Sequence, residues 1–401
     1  MRGAAGSVPA VADQIRERTE ANERFFSLEA ERIARLCHRM AERFARDGRL
    51  VAVAATPVAR SDARHVAVEF VHPVIVGKRA LPALGLAGEG GDPEAQARVV
   101  CEPEDIALGF GEGVAGALAV ARERGCLTVA FAKGSGAEWE FEPPTADPFV
   151  AQELVETLYH VLWELVHVFF DHRGLLEGRH ARPVHDTGAS SFLYPFLGEQ
   201  EHDLEAIVAD VRRSVLMKAE EVAALRAQTL GEGGEVLLAA ARELRAALDG
   251  GGQLLALGNG GSATDAMDLV ADLRAPWGGG PPRRALDLTE DPAILTAIAN
   301  DIGTDAIFAR QVIAYGRAGD VLVALSTSGN SPSVLEALRE ARRRGVRTIA
   351  LVGYDGGRVA AEELADHVIV TRSEHIPRIQ EAQASAYHVL RELVERPEPR
   401  E

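Results

Sequence analysis

Apolar and polar positions along this chain follow two alternating patterns. Short continuous apolar runs predict buried strands, and longer segments with apolar residues every three to four positions predict helices. In the first half the predicted strands are residues 50–55, 83–86, 106–110 and 128–132, and the predicted helices include 11–46, 114–124 and 149–170. This alternation indicates an α/β fold in which helices cover both faces of a parallel sheet.

The second half of the chain repeats this plan. Two long helices are predicted, at about residues 202–229 and 235–248, and the sequence LGEGG separates them. Strands at 253–257 and 321–325 follow, and a last helix is predicted over 378–395. We therefore expect a second parallel sheet, covered on both faces like the first.

A direct comparison of the two halves supports an internal repeat. Residues 152–166 (QELVETLYHVLWELV) and 380–394 (QEAQASAYHVLRELV) are identical at nine of fifteen positions. Residues 55–73 also align with 258–276 without a gap, although few positions are identical there. The chain is therefore predicted to be a tandem duplication. Its domains are predicted at 1–170 and 201–401, with a Gly-, Pro- and His-rich linker at 171–200.

Two strands of the second half lead into turns of small residues. The strand at 253–257 is followed by Gly-Asn-Gly-Gly-Ser at 258–262, and the strand at 321–325 by Ser-Thr-Ser-Gly-Asn-Ser at 326–331. A helix is predicted directly after each turn. Backbone N–H groups at a helix N-terminus, with small hydroxyl side chains around them, bind an anion without a lysine. The two turns are therefore predicted to form a phosphate cradle.

Composition and charge limit the possible partners. The chain has 401 residues, 47% hydrophobic and 26% charged, which is typical of a soluble globular protein. A net charge of −17 argues against nucleic acid or an anionic membrane as a partner, but not against a phosphorylated metabolite held by a local site. Three scattered cysteines are predicted to be buried and reduced, and no signal peptide or membrane span is visible, so a cytoplasmic location is expected.

Several motifs of the second half occur together in one known family. GNGGSATDAM, LTAIANDIG and GDVLVALSTSGNSPSVLEAL, together with FARQV, ALVGYDGG and RIQEA, resemble a sugar isomerase (SIS) domain, and more narrowly the phosphoheptose isomerase family. The resemblance covers roughly 235–395. It implies a three-layer α/β/α sandwich with a five-stranded parallel sheet and flanking long helices, here twice in tandem. It also implies interconversion of sedoheptulose 7-phosphate and glycero-manno-heptose 7-phosphate by a tetramer with sites at subunit interfaces.

The resemblance also implies which residues bind the substrate. The serine-rich loops are expected to hold its phosphate, and the LTAIANDIG motif and the last helix to add further contacts. The predicted substrate-binding residues are Asn259, Gly260, Ser262, Asn300, Asp301, Ser326, Thr327, Ser328, Asn330, Ser331 and Gln380.

The family's metal and acid–base residues are a His and a Glu four apart, then a Gln and a His eight apart on the last helix. The internal repeat puts His65, Glu69, Gln152 and His160 at these positions of the first half. Two imidazoles, a carboxylate and an amide oxygen suit a divalent metal, in the first place Zn²⁺. Glu69 is then the predicted base of an aldose–ketose isomerase, and His160 its acid.

The second half departs from this pattern. Asp268 and Asp272 stand where the family has His and Glu, while Gln380 and His388 are kept, and His388 is a further catalytic candidate. The first half, in turn, lacks both serine-rich turns. We therefore expect the two halves to pack as a pseudo-dimer with a composite site, and two chains to form a homodimer that is a pseudo-tetramer of domains.

Alternatives stay open at this point. A lone His/Glu pair on a helix, such as His65 and Glu69, is typical of a solvated surface, and the sequence favours a solvated helix face for Asp268 and Asp272 over a second hard-metal pair. Whether these two aspartates form a second site with Gln380 and His388 is left undecided. SIS domains also serve as non-catalytic sugar-phosphate sensors or scaffolds, which is the alternative function; lyase or deglycosylase chemistry on an amino-sugar phosphate is a third possibility.

Overall fold

The structure is a computed structural model that describes residues 9–74, 78–88, 91–171 and 203–395. The chain forms two compact units. We call them the N-terminal unit (residues 21–147 and 154–221) and the C-terminal unit (residues 1–20, 148–153 and 222–401), each as far as it is described. Apart from Asp171, the predicted linker at 171–200 lies outside the described residues.

The described helices and strands alternate along the chain. The helices are α1 Pro9–Ala45, α2 Ala59–Val71, α3 Pro93–Val100, α4 Ala115–Glu123, α5 Pro148–Asp171, α6 Leu204–Asp249, α7 Gly261–Arg274, α8 Pro292–Asp301, α9 Ala309–Tyr315, α10 Pro332–Arg343, α11 Gly357–Ala361 and α12 Ile376–Glu395. The strands are β1 Leu50–Ala54, β2 Ala83–Leu86, β3 Ile106–Phe110, β4 Leu127–Ala130, β5 Trp139–Glu140, β6 Leu254–Leu257, β7 Ala285–Asp287, β8 Val321–Ser326, β9 Arg347–Gly353 and β10 His367–Thr371.

Each unit contains one five-stranded sheet. The strand order is β2-β1-β3-β4-β5 in the N-terminal unit and β7-β6-β8-β9-β10 in the C-terminal unit, so the two sheets have the same topology. Every strand pair in both sheets is parallel. The predicted α/β fold with a five-stranded parallel sheet in each half is confirmed.

The central strands are apolar because helices cover both of their faces. All residues of β1, β3, β6 and β8 are buried. In the C-terminal unit one face of the sheet packs in a core with Leu244 and Leu390, and the other face in a core with Leu335 and Leu338. Burial on both faces removes the alternation of polar and apolar residues, which is why these strands were recognisable as continuous apolar runs.

The predicted break between two helices near residue 230 is wrong. The structure has one helix, α6, that continues through Gly231, Gly233 and Gly234. A glycine inside a helix costs only about 1 kcal/mol relative to alanine, which packing can offset. A Cβ at Gly233 would lie 3.3 Å from Ile369 Cγ2, and one at Gly234 would lie 3.7 Å from Val11 Cγ2. Gly233 thus lets Ile369 approach the helix closely, whereas the distance at Gly234 is an ordinary van der Waals contact.

The cysteines lie in the interior. Cys37, Cys101 and Cys126 are all free and buried, as predicted. In the described part of the chain, no helix has both the length and the apolar character that crossing a bilayer requires.

Candidate active site

The two small-residue turns of the C-terminal unit lie side by side. Strand β6 pairs with β8 in parallel register, so the turns that follow them leave the same edge of the sheet. Asn259 in the first turn donates a hydrogen bond from Nδ2 to Ser333 Oγ, at 3.1 Å, just after the second turn. The sheet therefore brings together the two turns that the sequence predicted to act as one cradle.

Internal hydrogen bonds shape the turn at 326–331. Gly329 has a positive φ of 62°, and its N–H donates to Ser326 Oγ at 3.2 Å. A Cβ at this position would lie 2.4 Å from the carbonyl oxygen of Gly356, so the conformation requires glycine. The N–H of Asn330 donates to Ser328 Oγ, also at 3.2 Å. The loop is thus held in one conformation by its own backbone and hydroxyl groups.

Neither of the two helices that follow the turns has a side-chain cap at its N-terminus. Ser331 precedes the first residue of α10, yet its side chain makes no capping hydrogen bond to that helix. Gly260, before α7, has no side chain with which to cap it, and this residue is exposed. These are therefore not side-chain-capped helix starts, which is compatible with an anion near the two helix N-termini and the Ser331 hydroxyl.

Other predicted substrate-binding residues lie at different distances from this cradle. Gln380, on α12, packs against the first turn, since a Cβ at Gly261 would lie 2.4 Å from its Nε2. The same Nε2 donates to the carboxylate of Asp265 at 3.2 Å. Asn300 and Asp301 are exposed at the end of α8 and hydrogen-bond to each other at 2.8 Å. In the described part of the chain, no hydrogen bond joins Asn300 or Asp301 to the turns, so their role stays a prediction.

The N-terminal unit holds a buried cluster of His65, Glu69 and His160. His65 and Glu69 lie one turn apart on α2, and His160 comes from α5. The Nε2 atoms of the two histidines are 3.2 Å apart, and His65 Nε2 is 3.9 Å from Glu69 Oε1. All three residues are at most 4% exposed. The alternative of a solvated surface pair is therefore wrong for His65 and Glu69.

A tyrosine that the site prediction did not include orients this cluster. The hydroxyl of Tyr159 lies 2.7 Å from Nδ1 of His65 and 3.5 Å from Oδ1 of Asp62. This contact engages the far side of the His65 ring and leaves Nε2 directed at Glu69 and His160. Hydrogen bonds of this kind are what holds metal-binding histidines in one tautomer and orientation.

The cluster fits a divalent metal. One ligand atom from each of its three residues lies within 4.8 Å of the others, and two imidazoles with one carboxylate are a donor set that Zn²⁺ accepts. The fourth predicted ligand, Gln152, belongs to the C-terminal unit, where its Nε2 donates to Asp268 Oδ1 at 2.9 Å. The structure thus brings together three of the four predicted ligands in one cluster and gives Gln152 a contact elsewhere.

A second buried cluster lies in the C-terminal unit. We call Asp268, Asp272, His388 and Glu153 the acidic cluster. Asp268 and Asp272 are 1% and 4% exposed, so the expected solvated helix face is wrong. The two aspartates are one turn apart on α7. This helix packs against α12, and both aspartates are buried together with its apolar residues.

The histidine of the acidic cluster contacts a carboxylate on each side. His388 Nδ1 lies 3.0 Å from Glu153 Oε1, and its Nε2 lies 3.2 Å from Asp268 Oδ2. Burial alone would lower the pKa of His388, but the hydrogen bonds to Asp268 and Glu153 outweigh it and raise this pKa to about 10. Burial would raise the pKa of Glu153, but the Arg18 guanidinium and His388 hold it at about 2.

The pKa of Asp272 is shifted in the opposite direction to that of Glu153. Burial, together with repulsion from Asp268, raises the pKa of Asp272 to about 8. Its ordinary value is 3.8. Whereas Glu153 is compensated by nearby cations, Asp272 is kept from ionising by its surroundings.

We expect the metal-free protein to lose stability as pH rises from about 4 to 10. Asp272 keeps a proton in the folded state that the unfolded chain releases above 3.8, so its contribution falls until about pH 8. The contribution of His388 is complete below 6.5 and is lost as pH rises through 10. Urea unfolding at several pH values, with a chelator present, measures this. In His388→Gln the decline between pH 6.5 and 10 should be smaller, and an unchanged decline would contradict the prediction.

Comparison with known proteins identifies the family of the C-terminal half. A family model described as SIS domain matches residues 219–353. The phosphoheptose isomerase of Pelodictyon phaeoclathratiforme is 45% identical over 178 residues, which are 43% of this chain and 83% of that protein. The phosphoheptose isomerase of Solidesulfovibrio magneticus is 44% identical over 184 residues, which are 46% of this chain and 89% of that protein. The chain belongs to the phosphoheptose isomerase family. It is therefore a member of a family of phosphosugar isomerases, as the motifs predicted.

One solved structure matches this phosphoheptose isomerase family member over nearly the whole chain. The C-terminal domain of glucosamine-fructose-6-phosphate aminotransferase from Francisella tularensis matches 98% of this chain and 97% of its own length, with a TM-score of 0.60. Since the sequences are only 10% identical, the match shows the fold alone. It agrees with the predicted fold, an α/β arrangement with a five-stranded parallel sheet in each half of the chain.

Three residues at the sites of this family member were missed from the sequence. Tyr159, Tyr387 and Glu153 all touch predicted site residues; Tyr387, for example, donates to Asp268 Oδ2 at 2.8 Å. A signal for the tyrosines was present, because both precede a site histidine in the repeated Tyr-His-Val-Leu sequence. The Gln-Glu pair that contains Glu153 is repeated in the same way. Arg18, which pairs with Glu153 at 3.0 Å, had no such signal.

Proposed function

We propose that this protein is a metal-assisted isomerase that interconverts sedoheptulose 7-phosphate and glycero-manno-heptose 7-phosphate. The observation that carries the proposal is the buried cluster of His65, Glu69 and His160, at the positions where the repeat predicts the family's acid–base residues. Relatives that are 45% and 44% identical to the other half are named phosphoheptose isomerases. The cradle of that half supports a phosphorylated substrate.

Each group has a distinct role in this proposal. The turns at 258–262 and 326–331 anchor the phosphate through backbone N–H groups and hydroxyls, and so position the reacting carbons. Glu69 moves a proton between C1 and C2 of the sugar through an enediolate, and His160 exchanges a proton with the adjacent oxygens. A divalent ion held by His65, Glu69 and His160 would polarise those oxygens.

The burial of Glu69 suits the role of base. At 4% exposure, its carboxylate has little water around it, which strengthens its interaction with groups placed beside it. The nearby His65 ring, 3.9 Å away, keeps a donor or a metal ligand at the carboxylate. A base that must take up and return the same proton benefits from such exclusion of water.

Proton NMR with sedoheptulose 7-phosphate in D₂O tests the proposed function. We expect an aldose signal to appear, to be lost on addition of a chelator, and to return with added Zn²⁺. Deuterium at C2 of the product would support the enediolate route over a hydride shift. If no aldose appears although shifts show that the sugar binds, the isomerase proposal is wrong and the alternative of a non-catalytic sensor is favoured.

Other parts of the sequence prediction stay predictions. One is that the phosphate cradle and the cluster of His65, Glu69 and His160 act on the same substrate. The others are the homodimer, the cytoplasmic location, the duplication event and the domain boundaries at 170 and 201. Zn²⁺ is proposed as the metal on the donor set alone, since two imidazoles and a carboxylate also accept other divalent transition metals.

A further inference from the structure

Two of the three cysteines meet inside the N-terminal unit. Cys101 follows the last residue of α3, and Cys126 directly precedes β4. Both belong to one hydrophobic core cluster of this unit, and they are 0% and 4% exposed. Their thiol groups are hydrogen-bonded to each other. We propose that Cys101 and Cys126 form an oxidisable dithiol, a modification site that a peroxide converts into a disulfide.

Contacts with the backbone hold the two cysteines together independently of the thiol contact. Cys126 Sγ donates to the carbonyl oxygen of Glu102 at 3.1 Å, so the sulfur lies beside the residue that is bonded to Cys101. Arg124 Nε donates to the carbonyl oxygen of Cys101 at 2.6 Å and joins the same two segments a second time. The helices that precede these segments, α3 and α4, also pack against each other. The two sulfur atoms are therefore already adjacent, and an S–S bond of about 2.05 Å needs only a short further approach.

The surroundings favour Cys101 as the sulfur that reacts first. The nucleophile in thiol chemistry is the thiolate. The hydrogen bond from the Cys126 thiol lowers the pKa of Cys101, and the charges of the nearby Arg124 and Arg49 add to this effect. Burial and the Asp105 carboxylate act in the opposite direction without cancelling the shift. Since the same hydrogen bond and burial raise the pKa of Cys126, Cys126 keeps the proton and Cys101 has the greater thiolate character.

The dithiol lies just below the surface, at the opposite edge of the sheet from the His/Glu cluster. Residues 102–103 and 122–125, which flank the two cysteines, are exposed. The cysteines precede β3 and β4, whereas α2, which carries His65, follows β1. These three strands are parallel, so the amino ends and the carboxyl ends lie at different edges. A small oxidant such as hydrogen peroxide can therefore approach from the surface, and the disulfide leaves the proposed active site open.

The oxidation consumes one peroxide molecule for each pair of thiols. The Cys101 thiolate attacks one peroxide oxygen, the O–O bond breaks and hydroxide leaves, which forms a sulfenic acid at Cys101. The hydroxide takes the proton of the Cys126 thiol and departs as water. The Cys126 thiolate then attacks the Cys101 sulfur, the S–O bond breaks, and the second oxygen takes up the proton that Cys101 released and leaves as water. The two sulfurs together lose two electrons, which reduce the peroxide.

Peptide mapping of the full-length, reduced protein after treatment with hydrogen peroxide tests the dithiol. Free thiols are alkylated at set times, and trypsin then separates the three cysteines, because cleavage after Arg and Lys leaves them on peptides 36–39, 99–122 and 125–133. We expect a cross-linked pair of the peptides 99–122 and 125–133, which a reductant separates again. The thiol of Cys101 should disappear at least about tenfold faster than that of Cys37, whose pKa is raised by burial.

Variants separate the two steps of the reaction. In Cys126→Ser the oxidation should stop at the sulfenic acid of Cys101, which dimedone traps on peptide 99–122, and the cross-linked pair should be lost. Cys37→Ser, a change at the other buried cysteine of the same unit, is the matched control and should form the cross-link as the wild type does. Circular dichroism of each variant before oxidation excludes a folding defect as the cause.

Oxidation of the folded protein without this cross-link, or equal rates at Cys101 and Cys37, would overturn the proposal. The same treatment in urea is a second control, since an unfolded chain should pair its three cysteines in every combination. If the folded protein gave that same mixture, the proposal would also be wrong, because the fold would not be what selects the pair. The measurement uses no sugar phosphate, so its outcome is separate from that of the proposed function.

Discussion

Glu69→Gln should lower kcat for isomerisation of sedoheptulose 7-phosphate by about 10³-fold, because general acid–base catalysis contributes about 10²–10⁴. Glutamine keeps the shape of the side chain but cannot accept a proton at the reacting carbon. Glu69 is buried beside His65, so a carboxylate ion from the solution cannot act as the base in its place. Binding of the sugar phosphate should change little, since the phosphate is assigned to the turns at 258–262 and 326–331.

The measurement separates chemistry from binding and from metal content. Steady-state kinetics give kcat, calorimetry gives the affinity for the sugar phosphate, and elemental analysis gives the metal bound. Glu42→Gln is the matched control, since Glu42 is another buried glutamate of the N-terminal unit, paired with Arg39 at 3.4 Å. Turnover near the wild-type level in Glu69→Gln, with its metal retained, would show that Glu69 is not the base.

Ser328→Asp should weaken binding of the sugar phosphate by about 100-fold, because it adds a negative charge to a site for a dianion, and like charges at contact cost several kcal/mol. The loop itself should persist. Ser328 Oγ accepts the N–H of Asn330 at 3.2 Å, and an aspartate oxygen can accept the same bond. The effect therefore reports on the ligand rather than on the fold of the turn.

Ser328→Asn separates charge from size. Asparagine has the shape of aspartate and can form the same turn, but it is neutral, so affinity in calorimetry should stay within about tenfold of the wild type. Raising the salt concentration should reduce the penalty in Ser328→Asp, because a partly exposed charge is screened. An unchanged affinity in Ser328→Asp would rule out the phosphate cradle at this loop.

Most of the fold was predictable from local sequence patterns. The strands β1, β3, β6 and β8 were visible because burial on both faces makes a strand continuously apolar. One difference is α6, where LGEGG predicted a break that the structure does not have. Glycine frequency is a local signal, but the packing of Ile369 and Val11 against Gly233 and Gly234 depends on elements more than 100 residues away in sequence.

The candidate sites were predictable to a smaller extent. The i, i+4 spacing placed His65 and Glu69 on one face of α2, and the internal repeat pointed to His160, which the structure brings next to them. The same spacing for Asp268 and Asp272 led to a solvated face, because a carboxylate pair on a helix does not reveal which element covers it. The contacts of Glu153 with Arg18 and His388 join three separate helices. The repeated Gln-Glu pair marks Glu153, but no sequence pattern indicates these partners.

By itself, the sequence determined the α/β class, the positions of strands β1 to β4, β6 and β8, the two small-residue turns and the family, because each depends on residues that are close together in the chain. Only the tertiary structure decided which polar groups are buried and which partners they meet. It placed Gln152 against Asp268, Tyr159 against His65, and His388 between two carboxylates. The physical reason is that hydrogen bonding and burial between distant segments are set by how the helices pack, whereas periodicity records only what one helix or strand does alone.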